Sequence, residues 1–190
     1  MGTVVDLTLK NFVINNKPGS WVLGLLKKEY GLVAYFDIDG KLNVGKANDV
    51  KGETVKYVLR ENVISDDELK YQLAEDLKLK VKAVCYYKDG TKIEGELGED
   101  GGETRTFYYY DVKDASELKT LAREELKRYS FDGYRGKIKT FLLPFALPGM
   151  VASIEDKVYN ERSGDYFIES VETSFGTGGG RRTVEIGIKA

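Results

Sequence analysis

Residues Tyr129–Ala190 read YSFDGYRGKIKTFLLPFALPGMVASIEDKVYNERSGDYFIESVETSFGTGGGRRTVEIGIKA and contain no helical period of useful length. Side chains alternate in character from Tyr166 to Phe175 and again over Thr183–Ile188. Alternation of this kind places successive side chains on opposite faces of a strand. The glycines of Gly176–Gly180 supply the positive backbone angles that a hairpin connection needs. The C-terminal part of the chain is therefore predicted to be an antiparallel meander that ends on a strand.

The composition is that of a sheet-rich globular protein. The chain has 190 residues, which suits one domain, or one domain with a small companion lobe. A hydrophobic fraction of 42% is enough for a core, and 13 Tyr, 8 Phe and 21 Gly favour sheet over helix. The fold predicted from these patterns is α+β: mostly antiparallel β, barrel-like or meandering, with two main helices and a small αββ lobe.

The charge and the rare residue types exclude several functional classes. A net charge of −2 gives no reason to expect nucleic acid or an anionic membrane as a partner. With no histidine, the sequence lacks Ser-His-Asp and Cys-His catalytic sets and the usual zinc ligands. We therefore predict no catalytic residue, no metal site and no cofactor, although an active site made of carboxylates alone remains open. The single Cys85 excludes an intrachain disulfide and fits a reducing compartment.

Residues 1–48 are predicted to form the small αββ lobe. Ser20 is predicted to cap a helix over Trp21–Tyr30, and Gly31 is placed to end it. Asp39-Gly40 is a strong signal for a tight hairpin turn. The strands predicted here are Val4–Leu9, Leu32–Ile38 and Lys41–Gly45.

Residues 49–190 are predicted to form a barrel-like antiparallel domain with an inserted helix at 114–129. Asp114 and Glu117 make a capping signature, and an apolar stripe of helical period follows them. Ser65–Glu68 has the same signature, but the residues after it alternate, so Leu69–Ala74 is left open between helix and strand. The other strands predicted are Val55–Leu59 continuing into Asn62–Ile64, Leu77–Tyr87, Thr91–Leu97, Thr104–Tyr110, Lys137–Leu143 and Met150–Glu155.

Two groups of side chains are candidates for protein contacts. The aromatic strand that ends in Phe107–Tyr110 places rings on both faces, and exposed aromatics tend to mark interfaces. Arg181 and Arg182 follow the glycine loop, where they are either solvated or bound to a partner carboxylate. We take Phe107, Tyr109, Arg181 and Arg182 as the candidate interface residues.

Two runs of the sequence resemble a known family. Trp21–Gly45 looks like a segment of phage baseplate hub proteins, in which a helix ending in Tyr-Gly-Leu leads to an aromatic strand and its return. Glu117–Lys189 looks like the end of the same proteins, with Tyr134-Arg135-Gly136 entering a strand and Pro148-Gly149 preceding another. The chain thus resembles, over about residues 20 to 190, the late control protein D family of contractile-tailed phages and the related hubs of type VI secretion and other contractile injection systems.

The resemblance implies a structural role in a phage or prophage-derived tail. Hubs of this family assemble as trimers in which each chain contributes two barrel-like domains, and they connect the tail tube to the spike. The expected partners are copies of the chain and the spike and tail-tube proteins. Family members carry another barrel before the region equivalent to residue 20, so we expect either a C-terminal piece or a shortened hub. With no apolar leader at Met1, the expected location is the cytoplasm during assembly and then the virion.

Two other functions remain open on the sequence. One is a cell-wall hydrolase associated with a phage tail, which needs a pair of carboxylates in a cleft. The other is a small β module that holds a ligand or a peptide.

Overall fold

The computed structural model describes residues 13–46, 52–87, 89–110 and 112–190. Within them the chain forms two α-helices, α1 (Gly19–Tyr30) and α2 (Ala115–Tyr129), and twelve strands, which confirms the α+β prediction. The strands are β1 (Val33–Phe36), β2 (Leu42–Gly45), β3 (Thr54–Val58), β4 (Val63–Ser65), β5 (Leu69–Gln72), β6 (Leu79–Tyr86), β7 (Lys92–Gly98), β8 (Glu103–Tyr110), β9 (Gly133–Thr140), β10 (Val151–Glu155), β11 (Gly164–Gly176) and β12 (Gly179–Lys189).

The chain divides into two units, each made of segments that are separate in sequence. Among the described residues, one unit contains Tyr35–Leu73 and Phe131–Ala190, and the other contains residues 13–34 together with Ala74–Ser130. The boundary predicted between residues 48 and 49, and the strand predicted at Val4–Leu9, lie outside the described residues.

The first unit is a nearly closed barrel. Its strands follow the order β3-β10-β11-β12-β9-β4, and β5 also pairs with β9. The β3–β10 pair is parallel, and every other pair in this sheet is antiparallel. The strands at the two ends of this order, β3 and β4, follow each other in sequence with only residues 59–62 between them. The path therefore returns close to its start, and the sheet curves around its inner side chains.

The inner side chains of the barrel form one apolar core. The alternating residues predicted from the sequence supply much of it, because every second side chain of a curved strand faces inward. Tyr57, Ile138, Ile168 and Val184 are all fully buried there.

The second unit contains the three-stranded sheet β7-β6-β8, with α2 packed against one face. The helix begins as predicted, since the Asp114 carboxylate accepts hydrogen bonds from the N–H groups of Ser116 and Glu117 at 2.8 and 2.9 Å. Leu118 and Ala122 of α2 are buried against inward residues of β6. The lysines of β6 are paired on the opposite face: Lys80 lies 2.7 Å from Glu96 and 2.8 Å from Asp100.

One local prediction at a segment start was wrong, and one segment that the sequence left open is decided by the structure. Helix α1 begins at Gly19 after Pro18, not after Ser20, because the proline already has the extended backbone that precedes a helix. No helix follows Ser65–Glu68: the Ser65 hydroxyl bonds to the Asp67 carboxylate, and Leu69–Gln72 pairs with β9 as a strand.

The strand predicted at Lys137–Leu143 is displaced toward the N-terminus. It runs from Gly133 to Thr140, so it includes the glycines that break the alternation. Gly136 has a φ of 114°, and a Cβ there would lie 2.0 Å from the Glu68 carbonyl oxygen. This close backbone approach is possible only for glycine. Phe141–Leu143, the last residues of the predicted strand, lie in the loop that follows β9.

Candidate interaction surface

One end of the barrel exposes a group of large apolar side chains. The loop between β9 and β10 contributes Phe141, Leu143 and Phe145, which are 55%, 76% and 45% exposed. Phe175, close to the tip of the β11–β12 hairpin, is 76% exposed. We call these four residues the barrel-end patch. Isolated exposed apolar residues are ordinary, whereas a group of them marks an interaction site.

Arg182 holds the loop that carries the patch. It is 6% exposed, and its Nη1 donates hydrogen bonds to the carbonyl oxygens of Leu142 at 2.5 Å and Pro144 at 2.9 Å. The guanidinium also lies over the Phe145 ring, 5.0 Å from its centre. A planar cation with several donors suits this task, because it can bind two carbonyls and an aromatic face together.

Gly180 lets the loop pack against the hairpin. A Cβ at this position would lie 2.6 Å from the Leu142 side chain, so the absence of a side chain makes room for Leu142. Gly180 is also the direct partner of Phe175 in the β11–β12 register. The hairpin tip and the loop are therefore adjacent, and Phe175 belongs to the same surface.

Arg181 places a positive charge at the edge of the patch. Its Nη1 donates to the Gly180 carbonyl at 2.9 Å, and its guanidinium lies 5.1 Å from the centre of the Phe141 ring. Among the described residues, no carboxylate oxygen lies within 4 Å of this guanidinium. Residues 140–151 and 173–184, the two segments that contain the patch residues, contain two arginines and no acidic residue.

The other two candidate interface residues lie in the second unit. Phe107 is 4% exposed and stacks on Tyr129 of α2, with ring centres 6.0 Å apart. Tyr109 faces the same core, and burial raises the pKa of its hydroxyl. Phe107 and Tyr109 thus belong to one unit and Arg181 and Arg182 to the other, and the structure buries Phe107 and Arg182 within the chain. Their role in an interface stays a prediction.

A buried carboxylate directly after β10 was missed by the sequence reasoning. Asp156 is 1% exposed and accepts a hydrogen bond from the Tyr134 hydroxyl at 2.6 Å. It also accepts from the N–H groups of Val158 at 2.9 Å and Tyr159 at 3.2 Å, and it pairs with Arg60. Burial by itself raises the pKa of Asp156, but these hydrogen bonds and the Arg60 charge outweigh burial and lower it. The sequence signal was an Asp directly after a strand, a position that favours a side-chain turn.

Through these contacts Asp156 has a structural role: it stabilises the loop of residues 156–163. Its neighbour Glu155 lies at the surface and pairs with Lys56 at 2.5 Å. Over the described ranges, no group of three or more Cys, Asp or Glu side chains is placed to hold a metal ion. Neither α1 nor α2 is long and apolar enough to span a bilayer.

The fold, but not the sequence, matches known proteins. No protein family and no curated protein matches this sequence. The structure is similar to that of the 43 kDa tail protein of prophage MuSo2 from Shewanella oneidensis, with a TM-score of 0.55 and 15% sequence identity over 98% of this chain. A tail protein from Neisseria meningitidis MC58 aligns over 93% of the chain at 14% identity, with a TM-score of 0.49.

We base the structural comparison on the Shewanella protein, which has the higher TM-score of the two. At this level of identity the likeness shows a shared fold. This chain covers 57% of the length of that protein, so the likeness concerns a little over half of it.

Proposed function

We propose that this chain is a structural component of a phage tail, or of a prophage-derived contractile injection machine, and that it belongs to the baseplate hub between tail tube and spike. The observation that carries the proposal is the fold shared with a prophage tail protein over nearly the whole chain. The resemblance of Trp21–Gly45 and Glu117–Lys189 to hub proteins supports the finer assignment. The role is proposed to be one of protein contacts, without catalysis.

The proposed partners are copies of this chain and the spike and tail-tube proteins, with a trimer in the intact hub. Closed rings of identical subunits need no covalent link, since each subunit offers complementary surfaces to its neighbours. Light scattering over a concentration series, alone and with a candidate spike protein, tests this part. A mass that stays at one chain in both series would contradict it.

Presence in the particle is the decisive test of the tail role. We expect particles purified from the phage or prophage that encodes the chain to contain it by mass spectrometry, and antibodies to label one end of the tail in electron micrographs. Deletion of the coding sequence should leave heads without functional tails. Intact, infectious particles that lack the chain would refute the proposal.

Arg181 is the better of the two arginines for testing a contact. Reversing the charge of Arg182 would break its hydrogen bonds to the loop carbonyls. A loss of assembly would then follow from disruption of the loop and would not report on a contact with a partner. Arg181→Glu changes a partly buried side chain at the edge of the patch and is expected to weaken assembly with a cognate spike or tube protein. Unchanged co-elution would remove Arg181 from the interface.

A cell-wall hydrolase is the competing class, and a turbidity assay on cell walls separates it from the structural role. The most buried carboxylate described, Asp156, is held by Tyr134, Arg60 and two backbone N–H groups. These bonds keep the Asp156 carboxylate ionised and use its oxygens as acceptors within the fold. An acid catalyst instead needs a carboxyl group with a raised pKa. We expect no glycan turnover by the purified chain.

A further inference from the structure

We infer that the barrel-end patch binds a different protein chain that presents apolar side chains beside an unpaired carboxylate. The inference rests on the proposed function in one respect: it assigns the face through which this chain would meet a neighbour in the tail.

The exposed area matches the apolar part of a stable interface. Taking roughly 200 Å² for an aromatic side chain, the three phenylalanines expose roughly 350 Å². Leu143, which is 76% exposed, adds to this figure. A standard interface buries about 800 Å² on each partner, and a little over half of that area is apolar, or roughly 450 Å². The patch alone thus supplies the apolar part of one side of such an interface.

The loop is held in place before any partner binds. Arg182 is a buried cation whose donors go to the carbonyls on either side of Leu143, and Leu142 packs onto Gly180. Together these contacts keep Leu143 and Phe145 at the surface. A surface anchored in this way binds with a smaller loss of conformational entropy, which favours affinity.

The charge selects the kind of partner. The patch has Arg181 at its edge and no acidic residue in the two segments that form it. A second copy docked face to face would place one Arg181 near the other, and like charges across an interface oppose association. A partner carboxylate would instead pair with Arg181 and gain from the apolar surroundings. The patch therefore favours a different chain over a symmetric dimer.

Selection from a displayed library of random peptides tests the inference without knowledge of the natural partner. The bait is the full chain, and the counter-selection bait is the Leu143→Ser/Phe175→Ser double variant. Both replaced side chains are largely exposed, so the fold should survive, which the melting temperature checks. We expect the enriched peptides to combine aromatic or aliphatic residues with Asp or Glu.

Binding of an enriched synthetic peptide, followed by fluorescence anisotropy, then separates the contributions. The double variant should bind at least about thirtyfold more weakly, as expected when interface anchors are lost. The matched control is Val158→Ser, which removes a side chain that is 62% exposed in the loop between β10 and β11, and it should leave binding unchanged. Arg181→Glu should weaken binding about tenfold, and replacing the peptide carboxylate by lysine should restore it.

Four results would overturn the inference: an empty selection, enriched peptides without acidic residues, equal binding by the double variant, or dimerisation of the chain that the double variant abolishes. The last result would assign the patch to a second copy. A fifth result separates the inference from the proposed function: if the wild-type chain is found in particles and the double variant enters them equally well, the tail role stands and only the patch assignment falls.

Discussion

Two tyrosines in the barrel core place their hydroxyl groups in opposite situations. The Tyr134 hydroxyl donates to the Asp156 carboxylate at 2.6 Å. The Tyr57 hydroxyl is buried with no hydrogen-bond partner among the described residues, and burial raises its pKa to about 12. A buried polar group without a partner costs free energy, whereas a satisfied one contributes modestly. The same residue type therefore has opposite effects on stability in one core.

Removing each hydroxyl should show this difference. We expect Tyr57→Phe to raise the free energy of unfolding by about 1 kcal/mol, because it deletes an unsatisfied group. Tyr134→Phe should lower it by about 2 kcal/mol, because it leaves a buried carboxylate oxygen short of a donor. Urea unfolding of the two variants gives both values. Equal destabilisation by both changes would mean that the Tyr57 hydroxyl has a partner in solution.

Asp156 should make the barrel sensitive to acid. Its pKa is lowered in the folded chain, so it releases its proton more readily there than in the unfolded chain, where the pKa is about 3.9. Its contribution to stability is complete above the unfolded pKa and is lost as the pH falls through the lower folded pKa. We expect the melting temperature to decrease when the pH is lowered below about 4. In Asp156→Asn the part of this decrease that is due to Asp156 should be absent. If the variant shows a decrease in melting temperature of the same size, other carboxylates are responsible for it.

Among the structural elements, α2 is the one that its own sequence specifies most completely. Its N-terminus has a reciprocal cap. The Asp114 carboxylate accepts a hydrogen bond from the Glu117 N–H in the first turn, and the Glu117 carboxylate accepts one from the Lys113 N–H at 2.7 Å. Lys127 and Arg128 lie in the last turn, where positive charge is favourable. Local chemistry and the apolar stripe agree, so the predicted and observed helices coincide.

The cap can be tested by a single substitution. We expect Asp114→Ala to lower the free energy of unfolding by about 1 kcal/mol, since two N–H groups lose their acceptor. Glu124→Ala on the exposed face of the same helix serves as the control and should change stability by less than about 0.5 kcal/mol. Urea midpoints compare the variants, and a cap variant as stable as the control would show that water replaces the carboxylate.

Ser65–Gln72 shows the reverse case, in which a neighbour overrides the local signal. The capping signature favours a helix, but β9 offers free backbone groups that Leu69–Gln72 satisfies by pairing. That pairing depends on Gly136, which lets the Glu68 carbonyl approach the backbone of β9. The glycine is 68 residues beyond Glu68 in the sequence, so no local pattern could show their contact.

At the scale of the whole molecule, barrel closure determines which amide groups are protected. The centre of β12 has a strand on both sides, because Arg182–Ile186 pairs with β9 as well as with β11. The outer part of β11, beyond Ile168, has β12 as its only strand neighbour in the described sheet. Protection from solvent should therefore decrease toward the hairpin tip.

Hydrogen exchange measures this gradient. We expect the slowest amides at Thr183–Ile186 and exchange that is faster by at least about tenfold at Thr173–Gly176, where opening does not require the barrel to unfold. Mass spectrometry or NMR at low protein concentration gives the comparison. Equal protection at the tip would show that the outer edge of β11 is covered in solution.

The amino-acid sequence alone determined the α+β class, helix α2, the hairpin turns at Asp39-Gly40 and the glycine loop, and the exclusion of histidine chemistry. Each depends on residues a few positions apart, whose propensities act before the chain folds. The tertiary structure alone decided the order of strands, the conversion of Leu69–Gln72 into a strand, and the burial of Asp156 and Arg182. It also decided that Phe141–Leu143 leaves its strand and joins Phe175 in one exposed surface. These features arise from partners distant in sequence, because burial and strand pairing are settled only when the barrel closes.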